Sequence, residues 1–152
     1  LSDLEKRIQS DLVKSMKTRN EIKLSTLRML KSEIQKAETT KGSSHELSDD
    51  DVMGLVQRCI KQRKEAAEQY VAGGAPERAE RELVEADILN GYLPPQLSPE
   101  EIDSVIEDVA KQLCPEGPND MGRLMGKVMP LVKGKADGSI VRKRVSGFLS
   151  KL

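Results

Sequence analysis

Asp120–Gly138 reads DMGRLMGKVMPLVKGKADG, a glycine-punctuated helix that runs into a basic turn and opens a last cationic helix. Met121, Leu124, Met125, Val128 and Met129 recur at i, i+3, i+4, i+7 and i+8, the spacing of one buried helix face. Gly122 and Gly126 lie four apart beside that face and form a bare strip along which another backbone can approach. Small residues at this spacing serve helix-on-helix packing, a reading we prefer here to ligand contact. Pro130 and Gly134 are expected to end the helix. Asp137 is placed to cap the next one, with Lys133 and Lys135 in the turn between them. Cations and a new helix N-terminus meet at one place.

The rest of the chain reads as scaffold for that place. Its 152 residues suit one domain or two small ones, and 37% hydrophobic with 33% charged residues describes a globular protein. Aromatic residues number three, Tyr70, Tyr92 and Phe148. The core must therefore come from Leu, Ile, Val, Met and Ala, which favours helices over sheets. No apolar run reaches the roughly 20 residues that span a bilayer, and no leader pattern opens the chain at Leu1, whose initiator Met is absent from this sequence. The expected compartment is the cytoplasm, with no membrane partner. Cys59 and Cys114 have no second Cys or His at ligand spacing. Both read as reduced, buried or half-buried thiols, and no metal or cofactor is expected.

Taken in order, helix follows helix. Ser2 and Glu5 make a capping box ahead of Leu4, Ile8, Leu12 and Met16, and Leu1 precedes them on the same stripe. After Thr18–Asn20, Leu24, Leu27, Leu30, Ile34 and Ala37 carry a second helix to about Glu38, antiparallel to the first. Residues 39–47, TTKGSSHEL, read as a mobile loop holding the single histidine, His45. Ser48 caps a long third helix with Asp49, Asp50 and Asp51 in its first turn and a stripe of Val52, Val56, Cys59, Ala66 and Tyr70. Arg63 falls on that stripe. It either pairs with a carboxylate of the first hairpin or joins Arg58, Lys61 and Lys64 in a binding surface, and we prefer the pairing. Gly73, Gly74 and Pro76 turn the chain into a fourth helix with Ala79, Leu83, Ala86 and Leu89 inward, and Glu77, Arg78, Glu80, Arg81, Glu82 and Glu85 on a solvated outside.

Residues 91–97, GYLPPQL, form a proline-containing linker, and Ser98, Pro99 and Glu101 restart a helix with cap, first-turn proline and capping-box acid in register. That helix buries Ile102, Val105, Ile106, Val109 and Leu113 before the loop at 114–119. The expectation is an all-α chain: a four-helix module over 1–93 and a three-helix basic domain over 98–152.

Charge is unevenly spread over this neutral chain. Residues 98–119 hold one Lys against six acids, a balance of −5, while residues 120–152 hold eight Lys or Arg against two acids, a balance of +6. The last helix places Ile140 or Val141, Val145, Phe148 and Leu152 inward, Arg142 and Lys143 outward and Arg144 at the flank. A run of charge is commonly a solvated face. Solvation does not explain why cations gather where a helix N-terminus and a glycine turn already favour phosphate. The candidate contacts are Arg123, Lys127, Lys133, Lys135, Arg142, Lys143 and Arg144 to phosphates, with backbone N–H groups from the turn between Gly134 and Gly138.

Catalytic patterns are missing. One histidine and no nucleophile elbow argue against a hydrolytic triad. Gly122 to Lys127 is too short for a phosphate loop, with Val128 where Ser or Thr would bind magnesium. Without aromatic platforms a nucleic acid would be met by charge and shape, which fits a folded RNA. DNA readout by the last helix is a lesser possibility, since its face carries no Asn or Gln.

Tyr92-Leu93-Pro94, Gln96-Leu97-Ser98, Glu100-Glu101-Ile102, Asp120-Met121-Gly122, Met125-Gly126, Met129-Pro130 and Val132 to Gly138 together resemble the YqeY family, as do Arg28-Met29-Leu30-Lys31 and Gln62-Arg63-Lys64-Glu65 upstream. That GatB/YqeY family is similar to the C-terminal helical and tail regions of the B subunit of glutamyl-tRNA(Gln)/aspartyl-tRNA(Asn) amidotransferase. The resemblance implies a tail domain that holds the outer corner of tRNA beside such an amidotransferase or another tRNA enzyme. It brings no active site with it. The family label, carbon-nitrogen ligase activity with glutamine as amido-N-donor, attaches to this chain by association, and no autonomous catalysis is expected. A protein-interaction adaptor that binds no nucleic acid is the alternative.

Overall fold

The computed structural model describes residues 1–40 and 46–152. Among them are seven α-helices, one 3₁₀ turn and no strand. They fall into two compact units, Leu1–Leu93 and Pro94–Leu152, each with its own apolar core. The expected loop at 39–47 lies largely outside the described residues, His45 included. At its edges, the second helix runs on through Thr40 and Leu47 is buried in the core of the first unit.

In the first unit, α1 (Asp3–Lys17) starts where Ser2 Oγ accepts the Glu5 N–H. The turn into α2 (Glu21–Thr40) puts Arg19 in the left-handed region at φ 54°, and Asn20 Oδ1 accepts the Lys23 N–H at 3.2 Å. The α1 stripe differs from expectation. Glu5, Ile8 and Ser15 are buried, whereas Leu1 and Met16 are exposed. Ser15 can face inward because its hydroxyl donates to the Asp11 carbonyl one turn back.

Ser48 and Asp51 close a reciprocal capping box on α3 (Asp49–Ala72). Gly74, at φ 78°, turns it into α4 (Pro76–Asn90). The α3 stripe shifts by one residue late in the helix, burying Ala67 in place of Ala66. On α4, Leu83 is 46% exposed and points outward. The inward places beside Ala79, Ala86 and Leu89 go to Glu82 and Glu85, which meet Arg63 at 3.6 and 3.1 Å. Arg63 is thus paired, with α4 rather than with the first hairpin. Its charge draws onto the interface the two acids expected outside.

Tyr92 is no loose linker residue. It is buried in the core of the first unit, its hydroxyl donates to Asp11 at 2.6 Å, and Arg7 covers its ring at 4.8 Å while donating to the Gly91 carbonyl.

The second unit opens with α5 (Pro99–Leu113), whose Ser98–Glu101 capping box forms as expected. Hydrogen bonds from the Ser98 backbone N–H and side chain hold the Glu101 carboxyl below its ordinary pKa. Cys114 ends α5 in the left-handed region with its thiol exposed, whereas Cys59 is buried, as expected. A 3₁₀ turn at Pro118–Asp120 leads into α6 (Met121–Val132). Leu124, Val128 and Val132 are fully buried, and Met121, Met125 and Met129 pack against the same core. Pro130 does not stop this helix, which runs two residues past it. A proline so near the C-terminal end costs one hydrogen bond and leaves almost no helix to break. In α7 (Gly138–Ser150), Val141, Val145 and Leu149 face the core, while Ile140, and Leu152 just past the helix, stay exposed.

Candidate nucleic-acid interface

The basic turn is held by its own backbone. After Val132, Lys133 is extended (φ −58°, ψ 126°) and Gly134 takes φ 75°, a conformation costly for any residue with a Cβ. The Gly134 carbonyl accepts the Gln96 side-chain amide at 2.9 Å, and the Lys135 carbonyl accepts the Leu97 N–H at 2.8 Å. Lys135 N–H bonds back to Val132, and Ala136 is buried. Gln96 and Leu97 therefore strap the turn in place. Both fall in the stretch 91–97 that the sequence presents as a linker, and the one sequence signal of their role is that Gln96-Leu97 and the turn belong to one family pattern.

This geometry corrects one expectation. Asp137 already occupies the N-terminus of α7, accepting the Ser139 N–H at 3.0 Å and its hydroxyl at 3.1 Å. With the Lys135 and Ser139 N–H groups bonded internally, two of the donors expected for phosphate near Gly134 and Gly138 are in use. The exposed side chains of Lys133 and Lys135 are what the turn offers outward. Gly138 itself starts α7 beneath Met129, whose Cε would lie 3.7 Å from an added Cβ.

The remaining candidate cations divide into two groups. Lys127, Arg142 and Lys143 are solvent-exposed. Arg123 and Arg144 have protein partners. Arg123 Nη2 donates to the Leu113 carbonyl at 2.9 Å, satisfying the C-terminal end of α5, and lies 3.7 Å from Asp120. Arg144 clasps Asp103 through both Nε and Nη2, with Nε 2.9 Å from Oδ1, and this carboxylate raises the guanidinium pKa.

Gly122 and Gly126 also depart from expectation. Both are exposed, and a Cβ built on either meets nothing within 4 Å. The strip packs against no helix of its unit. It lies open beside Arg123 and Lys127, the next residue in each case. Among the described residues no group of three or more His, Cys, Asp or Glu side chains could hold a metal ion. No helix among them is long and apolar enough to cross a membrane.

An all-α protein with a strapped lysine turn between two helices is the class these features define. The chain belongs to the YqeY family, described as Yqey-like protein, which matches residues 5–149. It is 30% identical over 142 residues to "Altered inheritance of mitochondria protein 41, mitochondrial" of Pyrenophora tritici-repentis, spanning 91% of this chain and 77% of that protein. It is also 34% identical over 98 residues to an uncharacterized protein of Schizosaccharomyces pombe, covering 64% of this chain and 78% of that one.

Proposed function

We propose that this chain is a cytoplasmic accessory protein that binds tRNA or a similar folded RNA through its C-terminal unit, beside a tRNA-dependent amidotransferase or another tRNA enzyme. The observation that carries the reading is the outer face of α6, where Gly122 and Gly126 stand open next to Arg123 and Lys127. A bare strip edged by cations admits a sugar-phosphate backbone closely and neutralises it there. Lys133, Lys135, Arg142 and Lys143 extend the cationic surface along the turn and α7. Arg123 and Arg144 contribute less, since each already serves a protein group.

The test is fluorescence anisotropy of labelled bulk tRNA with the purified chain over a salt series. A variant carrying Lys133→Glu, Lys135→Glu, Arg142→Glu and Lys143→Glu is measured alongside. The expected result is binding whose log–log salt slope is near −0.9 per phosphate contact on duplex-like RNA, lost in the variant. Absence of binding by the wild type at low salt overturns the reading. The adaptor alternative draws on Val13 and Met16, two exposed apolar residues about one turn apart on α1. An apolar docking surface of that kind would respond little to salt.

A further inference from the structure

A groove of about 440 Å³ runs between α5 and the C-terminal half of α7, within the size range of ligand clefts. Ile106, Gly147 and Phe148 give it an apolar floor. Its walls differ in charge. On one side α5 lends Asp103 and Glu107, one turn apart; on the other stand Lys143 of α7 and, just past its end, Lys151. Because Arg144 is spent on Asp103, an incoming group meets Glu107 facing Lys143 and Lys151.

Gly147 is a second, independent observation. Glycine in a helix interior is the poorest choice short of proline, and here the fold does not require it, because a Cβ at Gly147 would meet nothing within 4 Å. The open space above it belongs to the groove.

We propose that this groove docks an amphipathic helix from a partner protein. The helix would lay an apolar stripe over Gly147 and Phe148, with an acidic edge along α7 and a basic edge along α5. A simple anion would be repelled by the carboxylate wall and a simple cation by the lysine wall. A segment with opposite charges flanking an apolar stripe satisfies both. The polarity extends beyond the groove, since residues 98–119 sum to −5 and residues 120–152 to +6. Between Lys143 and Ser150 the α7 wall is about 10 Å of helix, room for two turns of a partner. This inference does not rest on RNA binding, although Lys143 is shared with that surface.

The experiment is a displayed library of helical peptides with one apolar stripe and both orders of flanking charge, selected on the purified full chain. Selected peptides are then measured against Gly147→Trp, which fills the groove, Gly147→Ala, which barely enters it, and the wall exchange Glu107→Lys with Lys143→Glu and Lys151→Glu. Circular dichroism confirms that each variant folds. One charge order should be enriched, with affinity kept by Gly147→Ala, reduced about tenfold or more by Gly147→Trp, and shifted to the opposite order by the wall exchange. The proposal is overturned if no helix is enriched, or if the enriched helices ignore both Gly147→Trp and the exchange. Self-association that Gly147→Trp abolishes, without peptide binding, would assign the groove to a second copy of the chain and also overturn it.

Discussion

Gln96 reaches 38 residues along the chain to donate its side-chain amide to the carbonyl of Gly134, at 2.9 Å. The same amide nitrogen lies 2.8 Å from the Pro94 carbonyl, so one side chain ties the start of the second unit to its basic turn. Gln96→Ala should cost about 1 kcal/mol, the usual worth of a neutral hydrogen bond. It should also speed hydrogen exchange at the Leu97 and Lys135 amides. Gly134→Ala should cost about 1–2 kcal/mol for the left-handed backbone alone. Urea unfolding followed by circular dichroism checks both, and a Gln96→Ala variant of unchanged stability and exchange would show the strap to be idle.

Filling the strip on α6 should separate stability from binding. Replacing Gly122 and Gly126 by Ala adds side chains into open space and improves helix propensity by up to about 1 kcal/mol per site, so the melting temperature should rise. Replacing Gly126 by Trp should keep the fold and weaken tRNA binding, because the backbone can no longer be approached. Unchanged tRNA affinity in the Trp variant would remove α6 from the interface.

Releasing Arg144 should strengthen the same interface. In Asp103→Asn the guanidinium loses its ionic partner and becomes available to phosphate. If the RNA reading holds, affinity should rise about threefold at low salt and the salt slope steepen by about 0.9, one added contact. The stability cost should be small, as for other exposed ion pairs. Anisotropy and thermal melts read both quantities.

Glu5 makes folding depend on pH. Burial, and then the neighbouring Glu38, raise its carboxyl pKa, and Glu46 adds to this while the N-terminal amine opposes it. A folded-state pKa above the unfolded one means that the native chain binds the proton more tightly. Glu5 therefore supports folding most in acid, and that support is lost as pH rises through the folded pKa. Glu5→Gln should stabilise the chain at neutral pH, with the gain shrinking as the pH falls through the raised folded-state pKa and levelling off below the ordinary carboxyl value. Melts across that range would reject the assignment if the two curves ran parallel.

What could be read from the sequence was what is decided locally. Ser98, Pro99 and Glu101 announce a helix start whatever surrounds them, and so do Ser48 with Asp51 and Asp137 before Gly138. Periodicity located the helices but not always the inward residue. Leu83 and Glu82 are neighbours, 100° apart on α4, and only the presence of Arg63 on α3 decides between them. Leu47 resembled a loop residue because its burial depends on helices distant in sequence. In the candidate site, the cations could be counted from the sequence, but their partners could not. Asp103 lies 41 residues from Arg144, and nothing local marks the two as a pair. The spacing of Gly122 and Gly126 favours packing on its own terms, and that they stand exposed is a tertiary fact.

The ion pairs of Arg63 with Glu82 and Glu85 have a bearing on register. Much of the facing surface of α3 and α4 is small, with Ala67, Ala79 and Ala86 buried, and smooth alanine surfaces can slide past one another by a turn at little cost. The guanidinium removes that freedom. A slip would leave it, or the two carboxylates, largely covered without a counter-charge, a penalty that can exceed the worth of the pair itself. Arg63 thus acts as a key in a slot, selecting one alignment of the longest hairpin in the chain. A lysine there would keep the charge but lose the planar fork that fits between two acids.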